Sequence, residues 1–240
     1  EEYASQMEEL AEDRAKQLKD AERLSAIGAT AGMVGHDIRN PLQAITSELY
    51  LAGLEINALQ DSEEKKSLQD SIRCIDENVV YINKIVADLQ DFARPLNPKI
   101  EPVDLGKIVK DALLMVKVPP EVHVEENLAD EVNLTADTTM LKRVLVNLIQ
   151  NAVQAMPNGG DLKISAQKTR RQIEISVRDS GEGIPKEVQS KLFTPLVTTK
   201  SKGQGFGLSV VKRMTESMGG TVEFRSEEGK GTIFSLKFKV

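Results

Sequence analysis

One periodicity limits what this chain can fold into more than any other feature. From Ala21 onward, small or apolar residues recur at alternating steps of three and four: Ala21, Leu24, Gly28, Ala31, Gly35, Ile38, Leu42, Ile45, Leu49, Ala52, Ile56 and Leu59. This is a heptad seam, and an apolar stripe so long and narrow is best buried against another helix or a second copy of the chain. Traced backwards it meets Met7 and Leu10 but also the polar Arg14 and Gln17, while Ala11, Ala15 and Leu18 lie one position over, so a phase shift is expected there. The small residues Gly28, Ala31 and Gly35 allow helices to approach closely. After a polar turn around Asp61 to Lys66, a second stripe runs Leu68, Ile72, Ile75, Val79, Ile82, Val86, Leu89 and ends before Pro95. Two antiparallel helices are expected. Neither can cover its seam alone, so two such hairpins should join as a four-helix bundle in a homodimer.

The remainder of the chain obeys another pattern. Arg94 to Pro102 carries three prolines in nine residues, which disfavours helix and marks a domain boundary. Beyond it, helices expected at about Asp104 to Val116, Thr138 to Met156 and Ser209 to Met218 intersperse with strands near Val122 to Glu125, Val132 to Thr135, Leu162 to Gln167, Ile173 to Arg178, Thr221 to Arg225 and Thr232 to Lys237. The chain of 240 residues therefore reads as multidomain: a coiled-coil helix over 1–23, a dimerisation hairpin over 24–95, a linker over 96–102 and an α+β domain over 103–240. The net charge of -6 argues against nucleic acid as the main partner. No apolar run approaches the roughly 20 residues of a membrane span, and no signal peptide opens the chain, so a cytoplasmic location is expected for what is present, with a sensor region expected upstream. The single Cys74 can form no internal disulfide, and with Ile72 and Ile75 beside it is expected to border the helical core.

His36 directly follows the seam position Gly35, which puts its imidazole just off the buried stripe, where it can be reached. Asp37 is adjacent, and a carboxylate that accepts the N–H of one ring nitrogen leaves the other nitrogen free to attack phosphorus. Pro41 removes a backbone hydrogen bond from the helix within two turns of the histidine and should bend or loosen it. The other histidine, His123, falls in a strand and reads as structural.

On the helix after Asp137, Asn147 and Asn151 are four residues apart and share a face. Such a pair can be a plain polar face, or two neutral oxygens able to ligate magnesium beside a triphosphate. Next, Asp179-Ser180-Gly181-Glu182-Gly183 ends a strand in a tight turn, and Asp179 could accept a hydrogen bond from an adenine amino group. Further on, Phe193 leads through Thr199 and Lys200 to Ser201-Lys202-Gly203-Gln204-Gly205-Phe206-Gly207-Leu208 and a helix. Bare N–H groups and the positive end of the helix dipole favour phosphate there, with Thr199, Lys200 and Lys202 adding hydroxyl and ammonium contacts. This is no Walker loop, because the Gly-Lys-Ser/Thr ending is absent.

The segment Gly35-His36-Asp37-Ile38-Arg39-Asn40-Pro41-Leu42 closely resembles the phosphoacceptor box of sensor histidine kinases, and the later blocks resemble the N, first G, F and second G boxes of their ATP domain. The resemblance extends from about Leu24 to Val240. It implies an α/β sandwich of the Bergerat type, shared with gyrase, a heat-shock chaperone and a mismatch-repair ATPase. It further implies that His36 is phosphorylated from ATP, that Asp37 is its activating base, and that Asn40 orients water when the partner, a response regulator receiver domain, is dephosphorylated. By the same match Asn151 binds Mg2+ with help from Asn147, Asp179 holds adenine, Gly181 and Gly183 shape its pocket, Phe193 anchors a lid, and Gly203, Gly205 and Gly207, with Leu208 following, cradle the phosphates. Residues 1–23 read equally as a signal-transmitting coiled coil or a simple stalk. The sequence departs from the pattern at Leu196, where a second Phe is common, and at Phe206, where an aliphatic residue is common. A nucleotide-gated machine without histidine phosphorylation is the rival reading, but such machines typically carry Glu where this chain has Asn147 and lack the His36 segment. A non-enzymatic scaffold with a degenerate ATP site is disfavoured by the intact Asn151, Asp179 and glycines.

Overall fold

The computed structural model describes residues 34–93, 95–129, 132–169, 171–195 and 205–239. The expected coiled-coil segment 1–23, the N-terminal part of the first seam, and Leu196, Thr199, Lys200, Lys202 and Gly203 lie outside the described residues. The chain divides into two compact units, with the break between Pro95 and Leu96.

In the first unit, α1 is helical over residues 34–57, running through Pro41, and α2 spans Glu63–Ala93. The connection is shorter and earlier than the polar turn expected at Asp61 to Lys66. Ser62 caps α2 by accepting from the Lys65 backbone N–H (3.2 Å), so the charged residues 63–66 join the helix, where Glu63 and Glu64 suit the positive end of its dipole. Leu42, Val79 and Val86 are buried between the helices, whereas the seam residues Ile45, Leu59, Leu68, Ile75 and Ile82 are exposed. The exposed Cys74 corrects the expectation that it borders a core: among the described residues nothing covers it.

The second unit is built on a five-stranded sheet of order β2-β4-β5-β7-β6, comprising β2 (Val122–Leu128), β4 (Gly160–Lys168), β5 (Gln172–Asp179), β6 (Gly220–Glu227) and β7 (Gly231–Lys239). Only β2 and β4 are parallel; the other pairs are antiparallel. Alternation along the strands sends Leu162, Ile164, Ala166, Ile173, Ile175, Val177, Phe234, Leu236 and Phe238 to one buried face. The helices α3 (Leu105–Val116), α4 (Thr138–Gln154) and α6 (Gly207–Ser217) complete this core, with α4 resting on β4 and β5 and α6 on β6, while the single turn α5 (Lys186–Gln189) follows β5. Leu141, Val144, Leu145, Leu148 and Ile149 of α4 are almost wholly buried, each burial worth about 1.5–3 kcal/mol.

Two expectations change here. The strand expected at Val132 to Thr135 is only β3 (Thr135–Ala136), and it pairs with β1 (Glu101–Pro102), inside the stretch expected as linker. The reason is a non-local contact: Asp137 caps α4 through Met140 N–H and also accepts from the Lys99 N–H, at 2.9 and 2.8 Å. Burial alone would raise the Asp137 carboxyl, but the N–H groups of Met140, Lys99 and Thr139 and the Lys99 charge outweigh it and hold the carboxyl below its ordinary 3.8.

The anion is therefore the form the fold favours, and its stabilisation is complete above the ordinary carboxylate range and lost as pH falls through the lowered native value. Asp137→Ala should destabilise the second unit by about 1–2 kcal/mol near neutral pH. Urea denaturation from pH 6 down to pH 3 should show the wild type losing that advantage over the variant as the solution becomes more acidic.

Candidate functional site

The sheet's buried rows explain where the polar site begins. In register, Ala166, Ile175 and Leu236 form one row and Ile164, Val177 and Phe234 the next; the following row is Leu162, Asp179 and Thr232, where apolar packing gives way to hydrogen bonding. Asp179 is 4% exposed, and its Oδ1 accepts from the N–H groups of Gly181 (2.9 Å) and Thr232 (3.2 Å). The turn after Asp179 is held from two sides. Glu182 N–H donates to Ala155 O at the end of α4 (3.1 Å), while Gly229 N–H donates to Glu182 O (2.7 Å) and Ile184 N–H to Ser226 Oγ (2.8 Å). Gly183, at φ 72°, lies so close to Glu227 that a Cβ would collide with its carbonyl oxygen.

α4 brings Asn147 and Asn151 to the same region. Asn147 is 5% exposed, its Nδ2 has no hydrogen-bond partner among the described residues, and its Oδ1 would lie 3.6 Å from a Cβ placed on Gly207, the first residue of α6. A buried amide left unsatisfied is costly, and one aimed at a helix N-terminus with bare N–H groups is what a polar ligand would complete. Asn151 is half-buried one turn further along. Gly205 has φ 68°, Phe206 is buried and caps α6 by backbone alone, and Leu208 is half-buried. Phe193 stacks edge-on against Phe224 of β6 (5.9 Å between centroids), with Lys212 Nζ 6.0 Å from its ring centre.

Thr232 and Ser226 escaped the sequence reading. The Ser226 and Thr232 hydroxyls are 2.8 Å apart and link the turn after Asp179 to the hairpin of β6 and β7. The glycine pair Gly229 and Gly231 before Thr232 was the available signal, but its meaning depends on the strand register that sets Thr232 opposite Asp179.

In the first unit, Gly35 is buried and the His36 side chain is 72% exposed, as the seam requires. His36 Nδ1 lies 3.5 Å from Asp37 Oδ1 and 3.4 Å from Asn40 Nδ2. Both neighbours thus approach the same ring nitrogen, and neither of these contacts involves Nε2. His123, by contrast, stands exposed on the edge strand β2.

Residues 136–240 match the family of histidine kinase-, DNA gyrase B- and HSP90-like ATPases. The sensor histidine kinase ZraS of Escherichia coli is 33% identical over 230 residues, covering 92% of this chain and 47% of that protein. Sporulation kinase C of Bacillus subtilis is 29% identical over 234 residues, covering 95% and 53%. Among solved structures, histidine kinase ThkA in complex with the response regulator protein TrrA superposes with a TM-score of 0.65 at 25% identity, over 95% of this chain and 66% of that one. Full-length ShkA with AMPPNP gives a TM-score of 0.70 at 24% identity, over 88% of this chain and 45% of that one, a likeness of fold. The chain is similar to sensor histidine kinases over most of its length, and residues 136–240 match the ATPase family that these kinases share. It spans about half the length of the curated relatives it matches. Among the described residues no helix is long and apolar enough to cross a membrane.

Asp179→Ala should orphan the N–H groups of half-buried Gly181 and buried Thr232, at about 1–3 kcal/mol for the buried one and less for the other. Chemical denaturation should show the second unit destabilised, and amide exchange at Gly181 and Thr232 should accelerate.

Proposed function

We propose that this chain is the catalytic core of an ATP-dependent histidine kinase that phosphorylates His36, passes the phosphoryl group to an aspartate of a response regulator, and also dephosphorylates that regulator. The observation that carries the reading is the exposed His36 flanked at Nδ1 by Asp37 and Asn40, in a chain whose residues 136–240 match the ATPase family of histidine kinases. When Asp37 accepts the Nδ1 proton, Nε2 keeps its lone pair and attacks the γ-phosphorus; the bond from γ-phosphorus to the bridging oxygen breaks and ADP leaves with that oxygen. Positioning supplies most of the acceleration.

The nucleotide is assigned to the space between Asp179 and the start of α6. Asp179, within a turn shaped by Gly181 and Gly183, recognises the adenine, Phe193 anchors the lid, and Gly203, Gly205 and Gly207, with Leu208 behind them and Thr199, Lys200 and Lys202 beside them, receive the phosphates. The unpartnered Asn147 amide and the neutral oxygens of Asn147 and Asn151 fit a magnesium nucleotide, Asn151 as ligand and Asn147 in support. Mg2+ would neutralise charge on the β and γ phosphates. Asn40, beside the same imidazole, orients the water that hydrolyses the regulator's aspartyl phosphate.

Residues 24–95 act as the dimerising and phosphotransfer hairpin, residues 1–23 as a coiled coil joining it to an upstream sensor, and 103–240 as the catalytic unit. The exposed seam residues Ile45, Leu68, Ile75 and Ile82 support a homodimer closing into a four-helix bundle. ThkA's complex with a response regulator supports that partner class.

Incubation with γ-labelled ATP and magnesium should give acid-labile, base-stable label on the wild type and none on His36→Ala; label surviving in the variant would refute the assignment. Asn40→Ala should autophosphorylate within about twofold of wild type yet slow dephosphorylation of the phosphorylated regulator, followed as loss of label from the receiver domain. Asn151→Ala should abolish magnesium-dependent nucleotide binding, measured calorimetrically.

A further inference from the structure

Next to His36 the two helices of the hairpin are joined by a contact that the phosphoacceptor assignment does not use. Gly35, buried and immediately before His36, has no side chain of its own, and Gln90 of α2 fills the space: a Cβ on Gly35 would collide with the Gln90 amide nitrogen and sit 2.7 Å from its Cδ. Four residues on, Arg39 Nη2 donates to Gln90 Oε1 at 2.8 Å. Gly35 and Arg39 are successive positions on one ridge of α1, so a single α2 side chain grips the ridge on both sides of His36.

We propose that Gln90 is a positioning residue for the phosphoryl transfer, acting through Arg39 and resting on the reading of His36 as phosphoacceptor. The grip fixes the rotation of the helical turn that carries the imidazole. It also fixes the Arg39 guanidinium, which is three residues from His36 and hence a neighbour on the helix surface. The chemistry of residue 90 matters: a carboxamide oxygen orients a guanidinium without cancelling its charge, so the cation stays available to a phosphoryl group arriving at His36. An aliphatic side chain would fill the same space and orient nothing.

The test compares steady autophosphorylation rates and KM for ATP in the whole chain. Gln90→Leu, which keeps the volume, should lower kcat about 10-fold with KM for ATP unchanged. Arg39→Lys should give the same loss, and the double variant no further loss, because both break one interaction. A wild-type rate in Gln90→Leu, a change confined to KM, or additive losses would overturn the proposal. Gly35→Ala with Gln90→Ala puts a methyl into the vacated space; full activity in that double variant would make Gln90 mere filling and would also overturn it. A second readout needs no nucleotide: the ring 15N resonances of His36 should shift in Gln90→Leu and Arg39→Lys while far-UV helicity is retained, and unshifted resonances count against the proposal. His36→Ala in the same assay separates the two claims, since label surviving there defeats the phosphoacceptor reading whatever Gln90 does.

Discussion

A single buried carboxylate organises the second unit. Asp179 ends β5 where the sheet's apolar rows stop, and by accepting from Gly181 and Thr232 it fixes both the turn that follows it and the strand beside it. That turn in turn bonds the end of α4, the helix that carries Asn147 and Asn151, and the hairpin of β6 and β7. Strand register, turn shape and amide placement are thereby coupled, which is why polar residues far apart in sequence face one region. Buried polar networks of this kind specify geometry as long as each member is satisfied. The Asn147 amide is left unsatisfied among the described residues, and it lies where a ligand would complete it.

The first unit depends on the opposite economy. Its seam is apolar and largely uncovered within one hairpin, so the imidazole's position follows from helical phase: Gly35 turns inward and His36 outward. Asp37 and Asn40 both approach Nδ1, yet the former accepts a proton there and the latter's Nδ2 offers one. The tautomer of the ring thus depends on which neighbour prevails, and only one tautomer leaves Nε2 nucleophilic.

Much of this was legible in the sequence because it is local. The heptad seam located α1 and α2, alternation located the five long strands, and Asp104 and Asp137 before apolar periodicity marked the starts of α3 and α4. What escaped was non-local. The pairing of Glu101 and Pro102 with Thr135 and Ala136 joins segments more than thirty residues apart, and two-residue strands leave no alternating pattern to find. Thr232 acquires its meaning only through register with Asp179, and Gln90 only through its place opposite Gly35. The turn between α1 and α2 was misplaced because charge was read as loop, where a serine cap was the stronger signal. Cys74 was expected inside because free cysteines are usually buried, but a hairpin with an open face has little inside to offer.

At the tip of the hairpin, Lys65 reaches back from the first turn of α2 and donates to the carbonyls of Asn57 and Leu59, with Asp61 as its counter-ion. Its side chain is only 14% exposed, so the ammonium serves as the terminal cap of α1. The brace makes the tip a gauge of angular phase. One residue added to α2 after Lys65 would rotate the rest of that helix by about 100° relative to α1 unless the brace were surrendered. Whichever side chain of α2 then faced Gly35, about 37 Å from Lys65 along the helix, would have been chosen by a lysine that never comes near it.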